Sequence, residues 1–296
     1  MALRSLVGLS AGIVGSSLYY ARKTPTSEVE CAQQPVSGPL SPTEFRPFPA
    51  IHSYDETGDT KVIRFALPEA DMEMGMTVAS CVVLRFTDSE GKEIIRPYTP
   101  ITPVDQQGFF EILIKRYPNS KMGTHLHNLK KNQTVDVKGP FEKIKVNTNQ
   151  WKHIGLIAGG TGISPCYQVA RKVLRDPKDK TDVSLICAFR KKEDVLLGNE
   201  VNELMERHPR FAPYFVLSDP PKTWMGGIGH VNKEMIKAFM PAPSSGTDSI
   251  IMVSGPPGMM KAICGDKDFS KSPPTQGELT GILKDMGYTS KQVFKF

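Results

Sequence analysis

Short stretches of alternating apolar and polar residues occupy the chain between about residue 49 and residue 148. Segments rich in β-branched and aromatic residues, separated by Gly, Asp or Pro, lie at 61–67, 77–86, 109–117 and 134–141. A period of two is typical of strands that bury one face. Several such strands at close spacing predict a small antiparallel barrel or sandwich.

A different pattern begins near residue 149. Continuous apolar runs predict four buried strands, at 153–158, 183–189, 213–218 and 250–254. Stretches with helical periodicity follow these runs, at 165–174, 199–208, 233–240 and 276–286. Alternating strands and helices predict a parallel sheet with helices on both faces. The sequence therefore predicts an all-β domain at 41–148 and an α/β domain at 149–296.

The N-terminal segment differs from both domains. Residues 1–23 contain three basic side chains and no acidic one, and a long uncharged stretch separates Arg4 from Arg22. Such a stretch, ending in two tyrosines beside basic residues, is compatible with a membrane span. A secretory signal, a mitochondrial targeting segment and a retained anchor compete, and the lack of acids favours the last two together. We predict an anchor or targeting segment at 1–23 and a flexible linker at 24–40.

Composition limits the kinds of molecule that the chain is expected to bind. The formal net charge is +6, but no run of five or more Lys and Arg residues occurs, so the chain lacks the signature of a nucleic-acid binder. A mildly basic body suits an acidic protein or an anionic cofactor. The cysteines are scattered without a C-x-x-C pair, which gives no support to an iron–sulfur cluster or a zinc site. We expect buried free thiols and no metal site. The cysteines are Cys31, Cys81, Cys166, Cys187 and Cys264.

The first candidate motif is the run Arg96, Pro97, Tyr98, Thr99 and Pro100, at the end of a predicted strand. A cofactor with a flavin ring and phosphates needs a cation for the pyrophosphate, a wall for the ring and donors for the ring edge. On an extended strand, Arg96 and Tyr98 share one face and Thr99 lies on the other. A proline-rich strand end with a surface arginine is the alternative for this motif alone.

A second motif begins with Lys115 and Tyr117 at a strand end and continues through a turn at 121–124. The turn leads into a predicted helix at 125–129. A helix N-terminus presents free N–H groups and a positive dipole to a phosphate, and Lys121 adds charge. An ordinary helix cap is the alternative for this motif alone.

Two further turns follow predicted strands of the α/β domain. They read GGTGISP at 159–165 and SGPPGMM at 254–260. Glycines let a backbone turn approach a pyrophosphate closely, and Ser164 and Pro165 suit an N-cap and a first helical residue. The dinucleotide fingerprint G-x-G-x-x-G is not met, because Pro165 stands at the third glycine. Ligands of open parallel sheets bind at the carboxyl ends of strands, so we expect both turns to frame one crevice. A proline-stopped loop is the alternative for the second turn.

These four motifs, in this order, resemble the ferredoxin–NADP reductase superfamily, and most closely the NADH–cytochrome b5 reductases, over residues 41–296. The resemblance implies a six-stranded antiparallel Greek-key FAD barrel and a doubly wound parallel-sheet domain for NADH. It places Thr99, Thr161 and Ser254 at the reacting rings. It assigns cofactor binding to Arg96, Pro97, Tyr98, Thr99, Leu113, Lys115, Tyr117, Lys121, Met122, Gly123, Thr124, Gly159, Gly160, Thr161, Gly162, Pro165, Asp194, Gly255, Pro256, Pro257, Met259 and Phe296.

Some positions depart from the family's pattern. Gly123 stands where the family has serine, with Thr124 as a substitute hydroxyl, Glu142 replaces a glycine, and Ser254 replaces a cysteine. Asp194, before a leucine pair, matches the residue that faces the adenosine ribose in NADH-preferring members and repels a 2′-phosphate. The C-terminal Phe296 is expected near the flavin.

The resemblance implies a complete path for electron transfer. Hydride passes from NADH to FAD, and single electrons pass on to cytochrome b5, an acidic haem protein. The N-terminus and the C-terminal sequence are most similar to the mitochondrial form, which predicts anchoring at the mitochondrial outer membrane or a cleaved soluble form in the intermembrane space. Two alternatives stay open: a relative that serves another acceptor or NADPH, and a binding protein whose flavin site has decayed.

Overall fold

The structure, a computed structural model, describes residues 38–296. The predicted membrane segment at 1–23 and the linker as far as residue 37 lie outside the described residues. No helix within 38–296 is both long and apolar enough to cross a membrane.

Six antiparallel strands form the first domain, in the spatial order β4-β3-β6-β1-β2-β5. On β3, the buried side chains of Val82 and Leu84 alternate with the more exposed Val83 and Arg85, as the period of two predicts. The elements are β1 Arg46–Thr57, β2 Thr60–Ala66, β3 Ser80–Thr87, β4 Glu93–Tyr98, β5 Phe109–Lys115, helix α1 Lys121–His127 and β6 Thr134–Glu142.

The two outer strands of this sheet come together at one end. Ile101, just after β4, donates its backbone N–H to the carbonyl oxygen of Glu111 on β5, with an N–O distance of 2.9 Å. Three buried rings fill the interior: Phe110 stacks on Phe65 at 5.3 Å between centroids and meets Phe48 edge-on at 5.5 Å. Such rings contribute through both burial and pair geometry. The predicted antiparallel β domain is confirmed.

The second domain is a sheet of six parallel strands in the order β10-β9-β8-β7-β11-β12. Leu156 of β7 lies in a core with Val169 of α2, whereas its neighbour Ile157 lies in a second core with Ile263 of α5. Helices therefore cover both faces, as predicted. The elements are β7 His153–Gly159, α2 Ile163–Arg175, β8 Asp182–Phe189, α3 Gly198–Arg207, β9 Phe211–Leu217, β10 Gly227–Ile228, α4 Lys233–Phe239, β11 Ser249–Ser254, α5 Pro257–Ile263, α6 Gly281–Asp285 and β12 Val293–Lys295.

The direction in which strands are added reverses between β7 and β11. From β7 the chain builds outward through β8 and β9, and it then returns to place β11 on the other side of β7. At such a reversal the connecting helices leave on opposite faces, and a crevice opens at the carboxyl ends of the two strands. The two glycine-rich turns follow these two strands.

The sequence pattern misplaced the ends of three helices. The last predicted helix, at 276–286, is present only as α6, because Gly277 and Gly281 adopt φ of +64° and +70°, which a helix cannot continue through. Helix α1 begins at Lys121, not at residue 125, because the Ser120 hydroxyl caps it. Helix α2 begins at Ile163, so Ser164 is not its N-cap as predicted.

Candidate active site

The two glycine-rich turns touch each other at the carboxyl ends of β7 and β11, where Ser254 is paired with Ala158. A Cβ atom at Gly162 would overlap the carbonyl oxygen of Ser254, and one at Gly159 would overlap the sulfur of Met259. Gly162 is therefore needed for backbone packing between the turns, whereas at Gly159 the overlap is with a flexible side chain. The two turns therefore frame one crevice, as expected.

Gly160 has a different environment from the two glycines that pack between the turns. It adopts a φ of +52°, and an added Cβ would meet no atom within 4 Å. Thr161 beside it and Ser254 opposite are only partly buried, and Pro256 and Pro257 are exposed at the start of α5. The crevice thus offers open space above a glycine turn and two partly exposed hydroxyl groups.

Arg96 lies on β4, at the strand end that the sequence predicts as a cofactor contact. Its side chain is exposed and donates a hydrogen bond to the carbonyl oxygen of Ile95, at 2.7 Å, while no acidic residue within 38–296 pairs with it. Arg85 on the neighbouring strand is instead bound by Asp136 and Glu93, at 2.7 and 2.8 Å. A guanidinium without a carboxylate partner is a suitable donor set for a phosphate.

Tyr98 and Thr99 continue the same strand end towards the second domain. Tyr98 packs against the barrel core, and burial raises the pKa of its hydroxyl to about 12, against an opposing effect of Arg96. The phenol is therefore neutral at physiological pH, and its ring offers an apolar wall. Pro97 is exposed and Thr99 is partly buried, so this edge of the strand is accessible to a ligand.

The two predicted lysines are not free. Lys115 lies 2.9 Å from Asp59, and Lys121 lies 2.7 Å from Asp88 and 3.4 Å from Glu90. A phosphate bound by either lysine has to compete with these carboxylates. Tyr117, which follows β5, is half exposed and is therefore accessible to a ligand.

The start of α1 explains one departure from the family's pattern. The Ser120 hydroxyl accepts a hydrogen bond from the backbone N–H of Gly123 at 3.0 Å, and an added Cβ at Gly123 would lie 2.9 Å from that oxygen. A side chain at 123 therefore has no room while Ser120 caps the helix. Met122 is buried, whereas Thr124 is exposed and lines a groove of about 580 Å³. Sequence reasoning missed Ser120, whose position before the predicted turn was the available signal.

The two domains share one apolar core, which brings part of the predicted site together. Leu113 of β5 is buried with Ile163 and Tyr167 of α2. The turn Gly160–Gly162 packs against β5 directly. We call this contact between α2 and the barrel the interdomain seam. The seam puts the Gly160–Gly162 turn beside the strand that carries Leu113 and Lys115.

Asp194 and Phe296 lie at other strand ends of the parallel sheet. Asp194 follows β8 in a short turn, where its carboxylate accepts a hydrogen bond from the backbone N–H of Lys191 at 3.1 Å. Phe296 follows β12, and its backbone N–H donates to the carbonyl oxygen of Val253 at 3.0 Å. The C-terminal backbone is therefore next to the turn that contains Ser254 and Gly255, and the Phe296 ring meets the Phe294 ring edge-on at 5.2 Å.

The residues present fit two dinucleotides. On the barrel, the unpaired Arg96, the half-buried Tyr98 ring and the exposed Tyr117 match the charge and the apolar surface of a flavin nucleotide. On the sheet, the open space over Gly160 at the strand reversal matches a second dinucleotide. Within 38–296 no group of three or more His, Cys, Asp or Glu residues is arranged to hold a metal ion.

Comparison with known families agrees with this assignment. Residues 49–146 match the family described as "Oxidoreductase FAD-binding domain", and residues 156–265 match the "Oxidoreductase NAD-binding domain". Fold and site together define a two-domain FAD- and NAD-dependent oxidoreductase.

Individual relatives narrow the class further. The chain is 46% identical over 239 residues to NADH-cytochrome b5 reductase 2 of Aspergillus clavatus, which covers 80% of this chain and 73% of that protein. It is 47% identical over 241 residues to the Botryotinia fuckeliana protein of the same name, covering 80% and 68%. The cytochrome b5 reductase domain of Ulva prolifera nitrate reductase superposes with a TM-score of 0.76 at 25% identity, covering 88% of this chain and all of that one. The chain belongs to the NADH–cytochrome b5 reductase family. It is an NADH-dependent flavoprotein reductase, with FAD as its bound cofactor.

Proposed function

We propose that this reductase delivers electrons from NADH, through FAD, to a cytochrome b5. Bound FAD accepts a hydride and can release its two electrons one at a time, which a haem acceptor requires. The support for the acceptor is the similarity, over 80% of this chain, to proteins named NADH-cytochrome b5 reductase 2. The observation that carries the hydride step is the position of the crevice. The two turns that form it touch each other. The interdomain seam joins them to the barrel, where the end of β4 carries Arg96 and Tyr98.

We assign a role to each part of this crevice. Arg96 holds the flavin pyrophosphate, and Tyr98 covers the flavin ring with an uncharged phenol. The turn Gly160–Gly162 holds the pyrophosphate of NADH, since the open space above Gly160 admits a ligand close to the backbone. The hydroxyls of Thr99, Thr161 and Ser254 orient the two rings, and the protein needs no general base because the transferred group is a hydride.

The mildly basic chain supports an acidic acceptor. Its formal net charge is +6, and a field of this sign steers an acidic protein towards it at low salt. The lysines predicted near the flavin edge are each paired with a carboxylate in the structure; they are Lys115, Lys121 and Lys152. The proposed steering therefore rests on the overall charge.

The acceptor is tested by anaerobic stopped-flow spectroscopy of the FAD-loaded full chain. NADH should bleach the flavin, and added soluble cytochrome b5 should then be reduced. The second-order rate with cytochrome b5 should fall about 10-fold from low to physiological salt, whereas the rate with an uncharged quinone should hardly change. An enzyme that is reduced by NADH and passes electrons to the quinone, but not to cytochrome b5, would rule out this acceptor.

We also propose that residues 1–23 anchor the enzyme at the mitochondrial outer membrane. The support is the basic, acid-free flanks of an uncharged stretch at the N-terminus. In cell fractions, the full chain should stay in the mitochondrial membrane pellet after alkaline extraction, and a variant without residues 1–23 should be soluble and equally active towards NADH. A full chain recovered in the soluble fraction would show that the anchoring proposal is wrong.

A further inference from the structure

Gln168 is a buried polar residue at the interdomain seam. It lies on α2, the helix that follows the Gly160–Gly162 turn, and only 2% of it is exposed. Its Oε1 atom accepts a hydrogen bond from the backbone N–H of Ala79 at 2.7 Å. Its Nε2 atom donates to the carbonyl oxygen of Pro100 at 3.3 Å. One side chain of the nucleotide domain thus satisfies two separate backbone groups of the FAD domain.

Both of these backbone groups adjoin the flavin site. Pro100 is the last residue of the segment that begins with Arg96. Ala79 directly precedes β3, the strand that pairs Val82 with Tyr98. Ala79 also adopts a φ of +59°, in the left-handed region that costs a non-glycine residue roughly 1 kcal/mol or more. The hydrogen bond from its N–H helps to fix this unfavourable conformation.

The other contacts of the seam are less directional than these two buried hydrogen bonds: they are apolar, or exposed like the ion pair of Arg175 on α2 with Asp105 at 3.5 Å. Leu113, Ile163 and Tyr167 meet there through apolar surfaces, and such contacts resist separation more than sliding. Hydrogen bonds depend on distance and angle, so two of them on one side chain define where α2 sits along the barrel. Hydride transfer needs the reacting atoms about 3–3.5 Å apart, and a displacement of about 1 Å can cost about 100-fold in rate.

We propose that Gln168 is a positioning residue for hydride transfer. It sets the Gly160–Gly162 turn, and with it the nicotinamide of bound NADH, against the flavin strand that ends at Pro100. The inference rests on the reduction of bound FAD by NADH and deepens it, because it names the side chain that fixes the distance between the two cofactors.

Two variants separate positioning from stability. Gln168→Met keeps the length and bulk of the side chain but removes both hydrogen bonds. Gln168→Glu keeps an acceptor for the N–H of Ala79 and loses the donor to Pro100. A matched control is Gln292→Met, because Gln292 is also 2% exposed.

The control residue makes bonds of the same kind away from the seam. The Gln292 side chain accepts from the backbone N–H and the hydroxyl of Thr289, at 3.2 and 3.0 Å, and donates to the carbonyl oxygen of Pro243 at 3.0 Å. All of these partners lie within the nucleotide domain. Loss of general stability should therefore be similar in the two Gln→Met variants, and loss of cofactor placement should occur only at Gln168.

The measurement is anaerobic reduction of FAD-loaded enzyme at saturating NADH, with NADH and with NADH deuterated at the transferred position. For Gln168→Met we expect a limiting rate per bound FAD that is about 10-fold to 100-fold lower, with an undiminished isotope effect and little change in the Kd for NADH. Gln168→Glu should be intermediate, and Gln292→Met should stay within about 2-fold of the unmodified enzyme.

The outcomes distinguish the positioning role of Gln168 from the hydride step itself. Unchanged limiting rates in the Gln168 variants, or equal losses in Gln168→Met and Gln292→Met, would overturn the positioning role. If Gln168→Met fails to retain FAD, the same comparison is made with Gln168→Leu, which also removes both hydrogen bonds and where a normal rate has the same consequence. An unmodified enzyme whose flavin is not bleached by NADH would overturn the hydride step itself.

Discussion

Gly162 is the residue at which the crevice tolerates least change. A methyl group there would overlap the carbonyl oxygen of Ser254, which belongs to the backbone of the neighbouring turn and cannot rotate away. We predict that Gly162→Ala destabilises the fold by about 1–3 kcal/mol and raises the KM for NADH, because the two turns must move apart. Urea unfolding and steady-state kinetics measure the two effects.

Gly258 is the matched control for Gly162→Ala. It lies in the first turn of α5 on the other side of the same crevice, and an added Cβ there meets no atom within 4 Å. Gly258→Ala should leave stability within about 0.5 kcal/mol or improve it, since alanine favours a helix. Similar losses in both variants would mean that the crevice, and not the contact between the turns, is sensitive to added bulk.

A second prediction about single residues compares the effects of Arg96 and Arg85 on FAD affinity. We predict that Arg96→Ala raises the Kd for FAD roughly 10-fold to 100-fold, the effect of losing a charge-assisted hydrogen bond worth about 1.5–3 kcal/mol. Arg85→Ala removes a cation already neutralised by Asp136 and Glu93, so it should leave FAD affinity nearly unchanged. Fluorescence of released flavin during dialysis reports both. Equal affinity in the two variants would remove Arg96 from the site.

Strands with a strong apolar period were predictable from the sequence. Helix boundaries that depend on a single capping residue or glycine were not. The strands at 61–67 and 153–158 correspond to β2 and β7, because buried residues on them follow directly from sheet packing. The start of α6 depends on left-handed glycines, and the start of α1 on one serine cap. Such single-residue signals are easily outweighed by a longer stretch of helix-forming composition.

One contact between elements was invisible in the sequence and has a functional consequence. Glu56 at the end of β1 accepts a hydrogen bond from the backbone N–H of Leu197 at 2.9 Å, just before α3 begins. Leu197 adopts a φ of +53° and lies three residues after Asp194. Glu56 therefore holds the segment that carries the predicted ribose contact. We predict that Glu56→Ala raises the KM for NADH several-fold with little change in kcat, from the loss of a bond worth about 1.5–3 kcal/mol.

Asp55 provides the control for Glu56→Ala. Its side chain is exposed and lies 3.8 Å from Lys61, and within residues 38–296 it forms no hydrogen bond or ion pair with α3. Asp55→Ala should leave the KM for NADH unchanged. A rise in KM for both variants would indicate that the β1 hairpin as a whole, and not the bond to Leu197, supports nucleotide binding.

At the scale of the whole molecule, the order of the four motifs indicated the two domains, but not how they are joined. Gln168, Ala79 and Pro100 are far apart in the chain, and each is unremarkable by itself. Their meeting depends on the packing of α2 against the barrel, which no local pattern encodes. The pairing of Lys121 with Asp88 was hidden for the same reason, since the carboxylate comes from another hairpin.

The pH dependence of stability is a property of the whole molecule, because histidines in both domains change the free energy of unfolding in the same direction as the pH falls. Burial lowers the pKa of His125 in the barrel and of His153 at the start of β7. An unfolded histidine titrates near about pH 6.5, so below that pH the unfolded chain binds more protons than the folded one. Their contribution to stability is therefore complete above about pH 6.5 and is lost as the pH falls. The urea midpoint of the FAD-loaded enzyme should decrease between about pH 7.5 and about pH 5.5.

A single substitution identifies the source of this decrease. The His153 ring lies 2.9 Å from the Ser184 hydroxyl, and glutamine can keep a hydrogen bond there without titrating. His153→Gln should therefore weaken the pH dependence. Glu200 acts in the opposite direction, since burial raises the pKa of its carboxyl group, whereas Asp88 does not interfere in this range. The hydrogen bond from Lys121 lowers the pKa of Asp88, so its contribution is lost only as the pH falls below about 4. A pH dependence unaltered by His153→Gln would place the source at another titrating group.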